Sequence, residues 1–259
     1  MSASDSFVDL ARYYDPIMSH VDYDRWYLIG GAIGELLPRP FTHLDAACGT
    51  GVLLKKFQSD RWRSIGIDLS ASMLRAGRQS GRAFPAAAAD LRALPFNGCM
   101  NYITCLFDSV NFLLRNADME RGIKSLTAAL APNGILYFDI VTERMVLEHF
   151  AGQSWTERNG KFVTSWECEY DRKTLTAETR IRVNNGPAYT LYERVYEPEE
   201  VEDAVMRAGL SLLGMFDAET WRAPRRKTVR MDFVAVKGDP KPFSARFKGV
   251  RDHVRALLR

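Results

Sequence analysis

Apolar and polar positions along the chain divide it into short strand-like runs and longer amphipathic stretches. Phe7, Leu10, Ala11 and Tyr14 fall at helical spacing, and Tyr13-Tyr14-Asp15-Pro16 closes that helix. Residues 22–37 form a second helical pattern with Trp26, Ile29, Ile33 and Leu37 on one stripe, stopped by Pro38 and Pro40. Strands follow at residues 41–46, 63–68, 83–89, 99–106 and 135–140, separated by helical patterns that begin at Val52, Ser70 and Ala117. Such alternation predicts an α/β fold, a doubly wound, Rossmann-like sheet.

The pattern changes after residue 150. Residues 153–197 alternate with period two, Trp166, Cys168 and Tyr170 on one side of a run and Ser165, Glu167 and Glu169 on the other. Asn159-Gly160, Asp171-Arg172 and Asn184-Asn185-Gly186 supply turns between four strand-like segments. This predicts a small inserted antiparallel β-sheet subdomain. A helix at 198–208 and strands at 210–217 and 229–236 complete a seven-stranded sheet whose last strand is antiparallel. The expected organisation is an N-terminal helical lid (1–40), a core (41–150), the insertion (151–197), the remainder of the core (198–238) and a basic amphipathic C-terminal helix (239–259).

The candidate chemistry starts at His43-Leu44-Asp45-Ala46-Ala47-Cys48-Gly49-Thr50-Gly51, a strand-to-helix turn. Gly49 and Gly51 permit close approach of a ligand to backbone, and the amides at the helix start attract a carboxylate or phosphate. Asp45 can accept from an amino group, which suits a zwitterion better than a pyrophosphate. Ala47 stands where the first glycine of G-x-G-x-x-G would be, so a dinucleotide site is disfavoured. Further acids, Asp68 and Asp90, end the next two strands.

These residues resemble motif I and its sequels in the class I S-adenosylmethionine (SAM) methyltransferases. Asp68-Leu69-Ser70-Ala71-Ser72-Met73-Leu74 is similar to the family's D-x-S-x-x-M-L, and Phe107-Asp108-Ser109-Val110-Asn111 to the F-D-S-x-N of its small-molecule members. The resemblance implies SAM as methyl donor and S-adenosyl-L-homocysteine as product. It implies a cofactor set of Tyr14, Asp45, Ala47, Gly49, Gly51, Asp68, Leu69, Met73, Asp90, Leu91 and Phe107. Asp68 would receive the ribose, Asp90 and Leu91 the adenine, and Tyr14 the SAM carboxylate. Inserted sheets cover the pocket in aminosugar N-methyltransferases of this type, so Asn111, His20, Tyr192 and Arg194 are expected to bind substrate. His149 and Asp108 are candidate bases. The expected reaction is in-line methyl transfer to nitrogen or oxygen of a small molecule. The alternatives are RNA or protein methylation, or a SAM-binding assembly protein without turnover.

Composition narrows the partners. The 259 residues are 46% hydrophobic, with no apolar run long enough to span a bilayer. A cytoplasmic protein without membrane contact is expected. The four cysteines, Cys48, Cys99, Cys105 and Cys168, lack C-x-x-C spacing, so neither a metal site nor a disulfide framework is expected. Basic residues gather at 240–259 and at Arg222, Arg225, Arg226, Lys227 and Arg230. Both clusters read as solvated surface, which makes a nucleic-acid partner unlikely. The tail helix and the inserted sheet offer faces for a possible homodimer.

Overall fold

The computed structural model describes residues 6–58 and 62–258. The outer limits of the first and last predicted segments, residues 1–5 and 259, lie outside the described residues. In chain order the elements are α1 (Ala11–Ile17), a 3-10 turn (Met18–His20), α2 (Tyr23–Gly34), β1 (Thr42–Ala46), α3 (Val52–Gln58), β2 (Arg63–Asp68), α4 (Ala71–Gln79) and β3 (Ala86–Ala88). A 3-10 turn (Leu91–Ala93), β4 (Met100–Cys105), a third such turn (Ser109–Phe112), α5 (Asn116–Ala129), β5 (Leu130–Val141) and α6 (Glu143–His149) follow. Then come β6 (Gln153–Asn159), β7 (Phe162–Asp171), β8 (Thr176–Val183), β9 (Ala188–Arg194), α7 (Pro198–Arg207), β10 (Ser211–Asp217), β11 (Arg230–Val236) and α8 (Lys241–Leu257).

Seven strands form one sheet in the order β10-β11-β5-β4-β1-β2-β3, and β6 to β9 form a separate four-stranded sheet. Pairings among β1 to β5 are parallel, whereas β11 runs antiparallel to both β5 and β10. The fold is therefore the predicted α/β sheet. Its β5 shows why both faces are covered: Leu136, Phe138 and Ile140 pack with α5 and α7, while Ile135 and Tyr137 pack with α2, α3 and α8. Strand alternation thus feeds two apolar layers. The tail helix docks on this second layer through Phe243, Phe247 and Val254, and Arg246 donates to the terminal carbonyls of Glu35 and Leu36 beyond α2.

Two local expectations change. Pro16 lies inside α1 instead of ending it, since a seven-residue helix forfeits one bond while Leu10 and Ile17 gain burial against β8. The turn at residues 132–134 interrupts β5: Met100 pairs with Leu130 and Tyr102 with Ile135, and Asn133 takes a left-handed φ of 60°. Among the described residues no helix is long and apolar enough to cross a membrane. All four cysteines are free, and among the described residues no group of three or more His, Cys, Asp or Glu side chains is placed to hold a metal ion.

Candidate active site

The parallel strands gather their carboxyl ends along one edge, and the strand order reverses direction between β1 and β4, opening a crevice there. The β1–α3 turn forms its floor, with Ala47, Gly49 and Gly51 at φ of 58°, 57° and 75°. The two glycines serve different ends. A Cβ at Gly51 would lie 2.4 Å from Phe84 Cε1, so that residue closes the turn against the core. A Cβ at Gly49 would meet only the Met73 methyl among the described residues, at 3.4 Å, so Gly49 borders the open crevice.

Backbone donors hold the β2 acid in place. Gly49 N–H donates to Asp68 Oδ2 at 2.7 Å and Ser70 N–H to Oδ1 at 2.8 Å. These two backbone donors fix the orientation of the carboxylate at the carboxyl end of β2. Ser70 caps α4 by accepting from Met73 N–H at 3.2 Å, which fixes Met73 beneath the turn. Asp90, after β3, is gripped by Arg92, whose Nη2 donates to Oδ2 at 2.6 Å; this ion pair holds the carboxyl below its usual range.

Asp45 ends a buried polar chain. Thr104 Oγ1 donates to Asp45 Oδ1 at 2.7 Å, and His43 Nε2 lies 3.0 Å from the same hydroxyl. A hydroxyl has one proton, so Thr104 must accept from His43 Nε2–H; His43 Nδ1 then accepts from Ser64 Oγ at 3.0 Å. Burial lowers the His43 pKa to about 3 and keeps the ring neutral. It raises Asp45 to about 7, the Thr104 hydrogen bond offsetting part of that rise.

The lid reaches this floor. Asp15, in α1, accepts from Thr50 Oγ1 at 2.5 Å and pairs with Arg82, whose Nε also bonds Thr50 O at 2.9 Å. Tyr14 is enclosed beside Tyr23, Asp108 and Asp68; burial and those neighbours push its hydroxyl well above the ordinary range. Phe107 stands between Tyr23 and Trp26, with ring centroids at 5.2 and 5.0 Å.

At the β4 exit Phe107 and Asp108 both take left-handed backbone, φ 61° and 50°. This turns Asp108 toward Arg230, at the start of β11, whose Nη1 donates to Asp108 Oδ1 at 3.1 Å and also pairs with Asp139 of β5. Asp139 Oδ2 accepts from Asp108 N–H at 3.1 Å. Burial raises the Asp139 carboxyl, with Arg230 pulling it back, and raises its β11 neighbour Asp232 to about 7.

A glycine-rich turn, an oriented acid at the end of β2 and a helix clipped to the turn through Asp15 meet at one crevice. Residues 44–134 match the family model for the methyltransferase domain. This chain carries a SAM-dependent methyltransferase domain. A Bacillus subtilis (strain 168) relative, the putative methyltransferase YqeM, is 28% identical over 238 residues, covering 88% of this chain and 95% of its own. The Saccharopolyspora spinosa dTDP-4-amino-2,3,4,6-tetradeoxy-D-glucose N,N-dimethyltransferase is 28% identical over 145 residues, 51% of this chain and 57% of that protein. In fold, the methyltransferase is similar to a SAM-dependent methyltransferase from Clostridium acetobutylicum ATCC 824, at TM-score 0.76 and 23% identity, over 91% of this chain and all of that one (100%).

The predicted residues divide on this geometry. Ala47, Gly49, Asp68, Met73 and Tyr14 gather at the β1–α3 turn, whereas Gly51 is turned to the core against Phe84 and Asp45 is buried at 3% exposure. Leu69, at 43% exposure, and Leu91, buried at 8%, flank the crevice floor. Asn111 does not face a substrate: its amide bonds Val141 N–H, Val141 O and Arg194 O, tying the β4 exit to β5 and β9. His149 is exposed at the end of α6 with its ring against Phe150, because Val146 is the residue that α6 buries. His20 is exposed and bonds Ile17 O at 3.1 Å. Neither histidine joins Asp108. Tyr192, 42% exposed, lies on the outer face of the second sheet, and Arg194 on the same face stacks over Tyr196 at 5.2 Å. Arg230, read from sequence as solvated surface, is instead enclosed between two carboxylates. Asp15, which bonds to the turn, His43 and Thr104, which lead to Asp45, and Asp139 and Arg230 at the β4 exit were not read from sequence as site residues. A polar residue inside an apolar run, as in Ile135-Leu136-Tyr137-Phe138-Asp139-Ile140, was the available signal.

Proposed function

We propose that the protein transfers a methyl group from SAM to the nitrogen of a small-molecule amine. The observation that carries this reading is the wall at the β4 exit, where the Phe107 ring packs against Tyr23 and Trp26 and Tyr14 lies beside the Asp108 carboxyl. Aromatic faces and a carboxylate together favour a cationic or amino group over a neutral hydroxyl. The similarity to an aminosugar N,N-dimethyltransferase supports the same class.

SAM supplies a methyl carbon made electrophilic by its sulfonium. The residues of the crevice fit it: Gly49 leaves backbone bare, Asp68 is oriented to receive ribose hydroxyls, and Asp45 and Tyr14 are placed for the amino-acid end. Asp90 and Leu91 take the adenine side, with Arg92 holding Asp90 ionised as an acceptor. The chain's task is then to align an amine lone pair with the donor and exclude water. Domain roles follow from this: residues 1–40 act as a lid and residues 151–197 as a cover over the acceptor.

A basic groove of about 660 Å³, lined by Arg222, Arg225, Arg255 and Asp252, is the feature that an RNA acceptor would use. The small-molecule reading is preferred because a relative similar over half of this chain is an aminosugar N,N-dimethyltransferase. The test is calorimetric titration with SAM and S-adenosylhomocysteine, then a radiolabelled methyl-transfer screen over primary amines, hydroxyl compounds and RNA. Asp68→Ala should weaken binding of both nucleosides at least tenfold. Methylation confined to hydroxyl compounds or RNA would remove the amine reading.

A further inference from the structure

The second sheet sends one titratable group to the carboxyl end of the first. Alternation along β9 points Tyr189, Leu191 and Glu193 inward and Thr190, Tyr192 and Arg194 outward. Tyr189 and Leu191 join the apolar cluster with Leu10 and Ile17 of the lid segment and Ile181 and Val183 of β8. The next inward position is an acid, Glu193, in register with the buried Ala177 of β8. The Glu193 carboxyl neighbours the Asp108 carboxyl, and its Oε1 is buried without a donor.

Buried polar atoms are nearly always satisfied, so an orphaned carboxyl oxygen beside a second carboxylate needs an explanation. Two adjacent carboxylates are stable only when a proton is shared between them or a cation neutralises them. Arg230 from β11 is the nearby cation, but it is engaged with Asp108 and Asp139. Tyr14 faces Asp108 from α1, and Cys168 of β7 faces Glu193 within the second sheet; neither supplies positive charge. The missing counter-charge is what an ammonium group brings.

We propose that Glu193 is the catalytic base for the amine acceptor, with Asp108 as its hydrogen-bonded partner. This rests on the amine reading above. The ammonium N–H bond breaks with its electron pair staying on nitrogen, and the proton passes to the Glu193 carboxylate. The freed lone pair forms the N–CH3 bond while the S–CH3 electron pair goes to sulfur, leaving a neutral thioether. Glu193 returns its proton to water when product leaves. Burial and the Asp108 charge raise the Glu193 pKa well above the ordinary glutamate range, which strengthens it as a base near neutral pH.

The test uses the full chain and two readouts. Infrared difference spectra taken across a pH series should show one carboxyl protonation step in the parent that Glu193→Gln lacks, the steps of Asp45, Asp139 and Asp232 being common to both proteins. With glucosamine and a panel of primary amino sugars, Glu193→Gln should keep S-adenosylhomocysteine affinity, lose about 100-fold or more in kcat and lose the acidic limb of kcat/KM. Glu193→Asp should retain that limb with partial activity and stands in if the glutamine variant does not fold. Turnover in Glu193→Gln within threefold of the parent, with the pH profile unchanged, overturns the assignment alone. Absence of turnover by the parent on every amine overturns the amine reading and the base with it.

Discussion

His43 allows a quantitative test of the polar chain beneath the crevice. The ring is fully buried and neutral, with both nitrogens bonded, and its pKa falls from 6.5 to about 3. An unfolded chain takes up a proton there below pH 6.5 and the folded one does not, so this contribution to stability is complete above that pH and is lost as pH falls toward 3. At about pH 4.5 the loss is ~2.7 kcal/mol, from ~1.4 kcal/mol per unit over two units. Asp45 and Asp232, raised to about 7, act in the opposite sense, since raised carboxyls make stability fall as pH rises from about 4 to 7. The parent curve alone therefore mixes opposing slopes, and His43→Gln separates them. The variant should be ~1–3 kcal/mol less stable at neutral pH for its disturbed hydrogen bonds, and the gap should close or invert by about pH 4.5. Urea midpoints at several pH values measure this. Trp62, whose ring centroid is 5.1 Å from that of His43, is a local fluorescence reporter. Parallel stability curves for parent and variant would refute the reasoning.

Two further perturbations separate support from binding. Gly51→Ala places a Cβ against the buried Phe84 ring at positive φ and should lower stability by ~2–4 kcal/mol in urea unfolding, whereas Gly49→Ala, facing the crevice, should cost only ~1–2 kcal/mol while weakening SAM binding at least tenfold. Equal loss of stability in both would contradict the division of roles. Asp15→Ala removes the Thr50 and Arg82 contacts of the lid; both are partly exposed, so the expected change is ~1 kcal/mol, or about fivefold faster S-adenosylhomocysteine dissociation in stopped flow. An unchanged rate would mean that the lid does not hold the ligand.

Much of this was legible because periodicity and turn chemistry act locally. The boundaries of β2 and the four-strand pattern after residue 150 follow from alternation and from Asn and Gly turns, and the helical pattern read from Ser70 begins where Ser70 caps α4. The carboxyl-end acids were legible because a parallel sheet must bring strand ends together. Partnerships across elements were not. Asn111 looked like a ligand-binding amide, yet β5 and β9 take both its N–H donors and one acceptor position, and no local pattern marks residue 141 or 194 as its partner. In β9 the alternation was visible, but its sense depends on which face the lid covers. Leu10, Ile17, Ile181 and Val183 decide that by burying together, which turns Glu193 inward and Tyr192 outward.

That apolar cluster also links the two halves of the reaction. The helix that carries Tyr14 and Asp15 is the same helix whose Leu10 and Ile17 sides support β8, and β8 pairs with the strand that carries Glu193. Asp15 fastens this unit to the Gly-rich turn through Thr50 and Arg82, and Asn111 fastens β9 to the β4 exit. Packed apolar surfaces shift as units and not residue by residue. On the roles proposed above, one packed unit therefore carries both the helix that contacts the Gly-rich turn and the strand that brings Glu193 to Asp108, so proton acceptance and the enclosure of the donor depend on the same contacts.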